Sequence, residues 1–118
     1  MAARTSLPLA LDACCSPVTA GELSEDAAAA LAKVFKALGD PTRVRLVSLI
    51  AASADGEACI CDLTEPVGLA QPTVSHHMKL LADAGLVTRT QRSKWAYYRI
   101  VPEALTAVSR ALAPVVPV

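Results

Sequence analysis

Cys59 and Cys61 stand two residues apart with Ile60 between them, and a second pair, Cys14-Cys15, lies nearer the start of the chain. In an extended segment, residues i and i+2 project to the same side, so both thiols of the first pair can face one ion. Thiolates at that spacing suit soft, thiophilic ions. The competing readings are two small buried hydrophobes and thiols that oxidise to a disulfide. Adjacent cysteines on an ordered backbone diverge, so one of Cys14 and Cys15 can be redundant in a shared site. A thiol enzyme is disfavoured: the sequence has no Cys-x5-Arg phosphate loop, no Cys-x-x-Cys and no Gly-rich cradle. His76 and His77 are neighbours on a predicted helix and point about 100° apart, so they do not jointly clamp an ion.

A second group of residues carries different chemistry. Gln71, Thr73, Ser75, His76, His77 and Lys79 crowd small donors and acceptors onto one segment, and Arg92 and Lys94 follow in a tight turn. Such donors and acceptors read base edges when a helix enters the major groove. A basic hairpin tip beside it reaches phosphates or the minor groove. Charge segregation agrees. The whole chain has net charge zero, yet residues 1–70 balance to −4 and residues 71–100 to +4. A cationic segment of that kind has polyanions as its natural partners.

Local signals place these residues on elements. Ser24 reads as an N-cap with Glu25 and Asp26 in the first helical turn. Leu31, Val34, Phe35 and Leu38 then keep helical spacing until Gly39. Asp40-Pro41 starts a second helix, in which Val44, Val47, Leu49 and Ile50 supply the buried face to about Ala52. Residues Ser53–Glu57 read as a polar turn. A short helix is predicted from Asp62 to Val67, closed by Gly68. The next helix opens at Gln71-Pro72 and stops at Gly85, with Val74, Met78 and Leu81 inward. Val87–Gln91 and Trp95–Val101 read as a β-hairpin joined by Arg92-Ser93-Lys94. Pro102 opens a last helix through Leu105, Val108 and Leu112.

Helix, turn, polar helix and basic hairpin in that order make a winged helix-turn-helix, mainly α with a β-hairpin. At 118 residues, 53% hydrophobic and 3% aromatic, the chain suits one packed helical domain. Residues 1–23 read as a flexible arm carrying Cys14 and Cys15, residues 24–113 as the DNA-binding and dimerisation domain, and residues 114–118 as a short tail. The apolar stripes of the first and last helices exceed what one small core covers, which predicts a homodimer. No apolar run reaches the ~18–20 residues that span a bilayer, and Leu7–Leu11, broken by Pro8, is a poor leader. The expectation is a cytoplasmic protein with no membrane partner, in which cysteines serve as thiolates.

The chain resembles the ArsR/SmtB family of metal-responsive repressors. The resemblance rests on Phe35–Leu46 (FKALGDPTRVRL), Cys59–Leu63 (CICDL), Gln71–Leu81 (QPTVSHHMKLL) with Ala84–Val87, and Tyr97-Tyr98; it covers roughly residues 25–112. It implies a homodimer, joined through its first and last helices, that leaves a pseudo-palindromic operator when a toxic ion binds, with no small-molecule substrate. The Cys-x-Cys resembles the arsenic-sensing branch, whose inducers As(III) and Sb(III) take three thiolates. Thr64 stands where some of those sensors carry the third cysteine, so the third sulfur has to be Cys14 or Cys15, from either subunit. Cd(II) or Pb(II) on Cys14, Cys15, Cys59 and Cys61 is the alternative within the family, and thiol redox sensing is another. The last helix has no histidine, which disfavours an interfacial zinc, nickel or cobalt site.

Overall fold

The structure, a computed structural model, describes residue 18 and residues 21–114. Most of the predicted arm, including Cys14 and Cys15, lies outside the described residues, as does the end of the tail.

Helix α1 runs Glu25–Leu38 and α2 Pro41–Ala52. Their starts follow from two side chains. Ser24 Oγ accepts a hydrogen bond from the Ala27 N–H, and Asp40 Oδ2 accepts from the N–H groups of Thr42 and Arg43. Each satisfies helix-end donors that have no partner within the helix. A 3₁₀ turn, Ala54–Gly56, leads to strand β1, Glu57–Cys59. Helix α3, Ile60–Val67, and helix α4, Gln71–Asp83, follow. Strands β2, Val87–Arg92, and β3, Trp95–Ile100, form the hairpin, and α5, Pro102–Leu112, comes last.

The hairpin is thus part of a three-stranded antiparallel sheet in the order β1-β3-β2. Cys59 sits opposite Tyr97 and Glu57 opposite Arg99, while Arg92 faces Trp95 across the hairpin. The segment predicted as turn therefore ends in a strand. Three residues are too few to show a period of two, and their pairing partner lies some forty positions later.

Leu46, Ile50, Ile60, Leu63, Val74, Met78, Leu81 and Leu86 are essentially fully buried. Met78 and its neighbours fix α4 on this core, so the opposite face of α4 looks outward. One expectation for α2 is corrected: Val44 is 51% exposed, and Leu46 with Ile50 forms the buried stripe. The i, i+4 pair takes the core side of the helix, and Val44 falls on the other.

Helices α3 and α4 are joined by a short turn that begins at Gly68. Its φ of 69° is left-handed, and its N–H donates to the carbonyls of Thr64 and Glu65. Nothing lies within 4 Å of where a Cβ would stand, so only the backbone conformation resists a side chain. Gly68→Ala is expected to lower stability by about 1 kcal/mol, the left-handed cost of ~1–2 kcal/mol less a partial gain from a stiffer unfolded chain. Urea unfolding followed by circular dichroism reads the shift.

Candidate nucleic-acid interface and thiol site

Helix α4 presents Gln71, Thr73, His76 and Lys79 to solvent, with Ser75 and His77 half-buried. Sheet alternation decides what the wing offers it. Arg89 pairs with Tyr98 and Gln91 with Ala96, so all four share the face that holds the buried Ala96 and Tyr98. That face meets α4 across an open cleft of about 510 Å³, whose polar lining is Gln71, Ser75, Lys79, Asp83, Arg89, Gln91 and Lys94. Three of these are cations, one is a carboxylate paired with Lys79, and the rest are neutral donor–acceptor groups, so the lining is net positive. The cleft therefore attracts a polyanion and can hydrogen-bond to it. Arg89 and Gln91 were not among the residues singled out from sequence. Counting alternate positions back from the turn would have placed them here.

Arg92 lies on the opposite face of the sheet. Its Nη1 and Nη2 donate to Glu57 Oε1 and Oε2 at 2.9 and 2.7 Å, and its guanidinium sits 4.6 Å above the centre of the Tyr97 ring. Expected as a free cation at the wing tip, it is held by a carboxylate. The Arg92 hydrogen bond holds the Glu57 carboxyl below the ordinary carboxylate range. Lys79 pairs with Asp83 one turn along at 3.0 Å, in an exposed contact of the kind worth little in stability. Lys94 is exposed.

His77 is engaged from behind. Arg43 Nη1 lies 3.1 Å from His77 Nδ1, while Arg43 Nε and Nη2 donate to the carbonyls of Ala37 and Lys36 at the end of α1. A guanidinium has no acceptor, so Nδ1 must accept and the ring carries its proton on Nε2. One side chain thereby ties α1, α2 and α4 together. Arg43→Ala is expected to cost about 1–3 kcal/mol of stability, because part-buried acceptors lose their donor. Urea unfolding checks the cost, and two-dimensional nitrogen NMR of the histidine ring checks the loss of a single tautomer.

The thiols occupy the start of α3. Cys59 is its N-cap, and Cys59 Sγ accepts from the Cys61 N–H at 3.3 Å. The two sulfurs are in bonding contact, as a disulfide, with Cα atoms 5.2 Å apart. Their convergence does not come from strand alternation, as the sequence led one to expect. Cys61 lies in the first turn of α3, which begins at Ile60 and not Asp62, and the turn folds its sulfur back over the cap. Cys59 is buried and Cys61 exposed, so a ligand reaches the pair from one side. Thr64 Oγ1 donates to the Cys61 carbonyl. Among the described residues, no three Cys, His, Asp or Glu side chains gather as a metal site. Once reduced, Cys59 and Cys61 supply two soft donors, and a three-sulfur ligand set needs one more from outside these residues.

The sequence of residues 40–89, from the cap of α2 to the middle of β2, matches the description "Bacterial regulatory protein, arsR family". A Halobacterium salinarum protein named putative arsenical resistance operon repressor ArsR2 is 44% identical over 89 residues, which cover 75% of this chain and 72% of that one. The chain belongs to the ArsR family. The family is one of DNA-binding transcription regulators and not of enzymes. The arsenic resistance transcriptional regulator ArsR1 of Pseudomonas putida is 44% identical over 70 residues, 59% of this chain; the chain spans about half, 53%, of that relative's length. Two solved structures share the winged helix-turn-helix. One is the homodimeric DNA-binding domain Mb0332 of Mycobacterium bovis, a possible ArsR-family regulator (TM-score 0.62, 26% identity, 76% of this chain and 83% of that one). The other is the AntR antimony-specific transcriptional repressor (TM-score 0.62, 29% identity, 75% and 79%). Among the described residues of this ArsR-family chain, no helix is long and apolar enough to cross a membrane.

Proposed function

We propose that this ArsR-family chain is a repressor that binds a pseudo-palindromic operator as a homodimer and leaves it on binding As(III) or Sb(III). The ligands are the thiolates of Cys59 and Cys61 in the reduced protein, completed by Cys14 or Cys15 from the same or the partner subunit. The observation that carries this reading is the convergence of two sulfurs at the N-terminus of α3, the helix joined directly to α4. The relatives' names, which speak of arsenical resistance and antimony, support the choice of ion. Gln71, Thr73, Ser75, His76, Lys79, Arg92, Lys94 and, through its Nε2, His77 make the DNA contacts in this reading. The dimer is supported by the faces of α1 and α5: Phe35, Leu38 and Leu105 remain half-buried, and Leu112 is 57% exposed.

The test is a titration of the protein–operator complex with As(III), Sb(III), Cd(II), Pb(II) and Zn(II), in a reductant that does not bind them. Release by arsenite and antimonite, with zinc a poor inducer, is the expected result. A three-sulfur pyramid does not offer zinc its tetrahedron. Release by cadmium and lead alone would point instead to a four-thiolate site.

A second reading is favoured by the sulfur contact itself. The Cα separation of 5.2 Å falls within the disulfide range. Cys59 and Cys61 would then sense a peroxide. The two thiols give up two electrons and two protons to form the S–S bond, and the peroxide O–O bond breaks to give two waters. Release of operator by hydrogen peroxide, reversed by a dithiol, separates this reading from the first.

A further inference from the structure

One face of the sheet carries the sensor thiol and the wing arginine together. Residues 57 and 59 of β1, 95, 97 and 99 of β3, and 92 of β2 share it by register. Along that face, Cys59 lies opposite Tyr97, Arg92 stacks on Tyr97, and Glu57 binds Arg92 through both carboxylate oxygens. Glu57 also stands 3.6 Å from Arg99 Nη2, and Arg99 Nη1 donates to the Asp55 carbonyl. The Glu57 side chain is 15% exposed, against 49% and 50% for the two arginines. The carboxylate is therefore recessed and the cations stand above it, facing solvent.

We propose that Glu57 and DNA phosphate compete for Arg92, and that Glu57 thereby passes the state of the Cys59 thiol to the wing. The proposal rests on the reading of Cys59 and Cys61 as the sensor. First, a carboxylate and a phosphate oxygen make the same charge-assisted bond to a guanidinium fork. Two N–H groups spent on Glu57 are not available to a phosphate, and the carboxylate also opposes the wing's positive potential. Second, Glu57 and Cys59 are separated by one residue of a three-residue strand. A ligand that draws Cys59 into a new position moves Glu57 with it, on the same face. The ion shifts DNA affinity only through a difference in binding between two states. The two states named here are Arg92 on Glu57 and Arg92 on phosphate. Ion occupancy favours the first.

Glu57→Gln keeps the size and removes the charge. It is expected to bind both operator and random DNA several-fold more tightly in the absence of any ion. The plot of log affinity against log salt should steepen by about 0.9, one freed phosphate contact. In an Arg92→Ala background the same substitution should leave the salt slope unchanged, and only the smaller gain from the lost negative charge should remain. The ratio of operator Kd with and without saturating arsenite should fall several-fold relative to wild type. The sulfur-to-arsenic absorbance of the DNA-free variant should be unchanged, which shows the thiol site intact. An unchanged salt slope, weaker DNA binding or a steepened slope that persists without Arg92 overturns the competition. An unchanged arsenite ratio overturns the link to the thiols. If arsenite fails to release even the wild-type complex while the slope still steepens, the inducer reading and the link to the thiols fall, and the competition for Arg92 stands.

Discussion

Cys59→Ser is expected to stay on operator DNA at arsenite concentrations that release the wild type. A serine hydroxyl is a hard, protonated oxygen and does not replace a thiolate for a soft ion. Changes in the outer shell of an ion site cost roughly 10–100-fold in affinity, and loss of a ligand should cost at least that much. The fold should survive. Cys59 caps α3 by accepting from the Cys61 N–H, and serine is among the preferred residues for that task. DNA contact sits on α4 and the hairpin, so operator affinity without the ion should stay near wild type. Cys61→Ser should behave alike, and its exposed side chain makes it the gentler change. A fluorescence anisotropy titration of labelled operator complex with arsenite measures both variants.

The second large effect concerns sequence reading. Ser75 lines the cleft between α4 and the wing, and Gln71 opens it. Ser75→Ala or Gln71→Ala should weaken operator binding by about 1–3 kcal/mol where a base contact is lost, roughly 5- to 150-fold. Binding to random DNA should change little. Lys94→Ala should do the reverse. It removes a phosphate contact, so specific and random DNA weaken together and the salt slope flattens by about one. Parallel measurements on operator and on scrambled DNA, at several salt concentrations, separate the two behaviours. A loss on scrambled DNA equal to that on operator would remove Ser75 and Gln71 from base readout.

What the sequence made legible was mostly local. Ser24 and Asp40 announced two helix starts, and Gly68 and Pro102 marked a stop and another start. The spacing of Val74, Met78 and Leu81 set which face of α4 turns inward, and all three are fully buried. Long-range pairs were not legible. Arg43 meets His77 across 34 positions, and Glu57 meets Arg92 across 35. No local periodicity encodes such pairs, which arise only once the helices and the sheet are packed. The same limit hid β1, whose partner strand lies far along the chain. It also misplaced the start of α3. Cysteine is an unusual N-cap, so Cys59 gave no signal that the helix begins at Ile60.

The third thiol is where sequence and structure meet least. Cys14 and Cys15 lie outside the described residues, so their part in the site rests on the ligand count and on family resemblance. Replacing both should weaken the response or change the ion that elicits it.

In the proposed mechanism the thiols and the DNA-reading surface are two sites of one equilibrium. Linkage makes that claim quantitative: if arsenite lowers operator affinity by some factor, operator lowers arsenite affinity by the same factor. The direct measurement is arsenite affinity of the free protein and of the operator-saturated protein, read by sulfur-to-arsenic absorbance, beside operator affinity with and without saturating arsenite. Two equal factors are expected, both well above one and both abolished by Cys59→Ser. Arsenite that binds free protein and operator complex equally, while the complex stays intact, would contradict it.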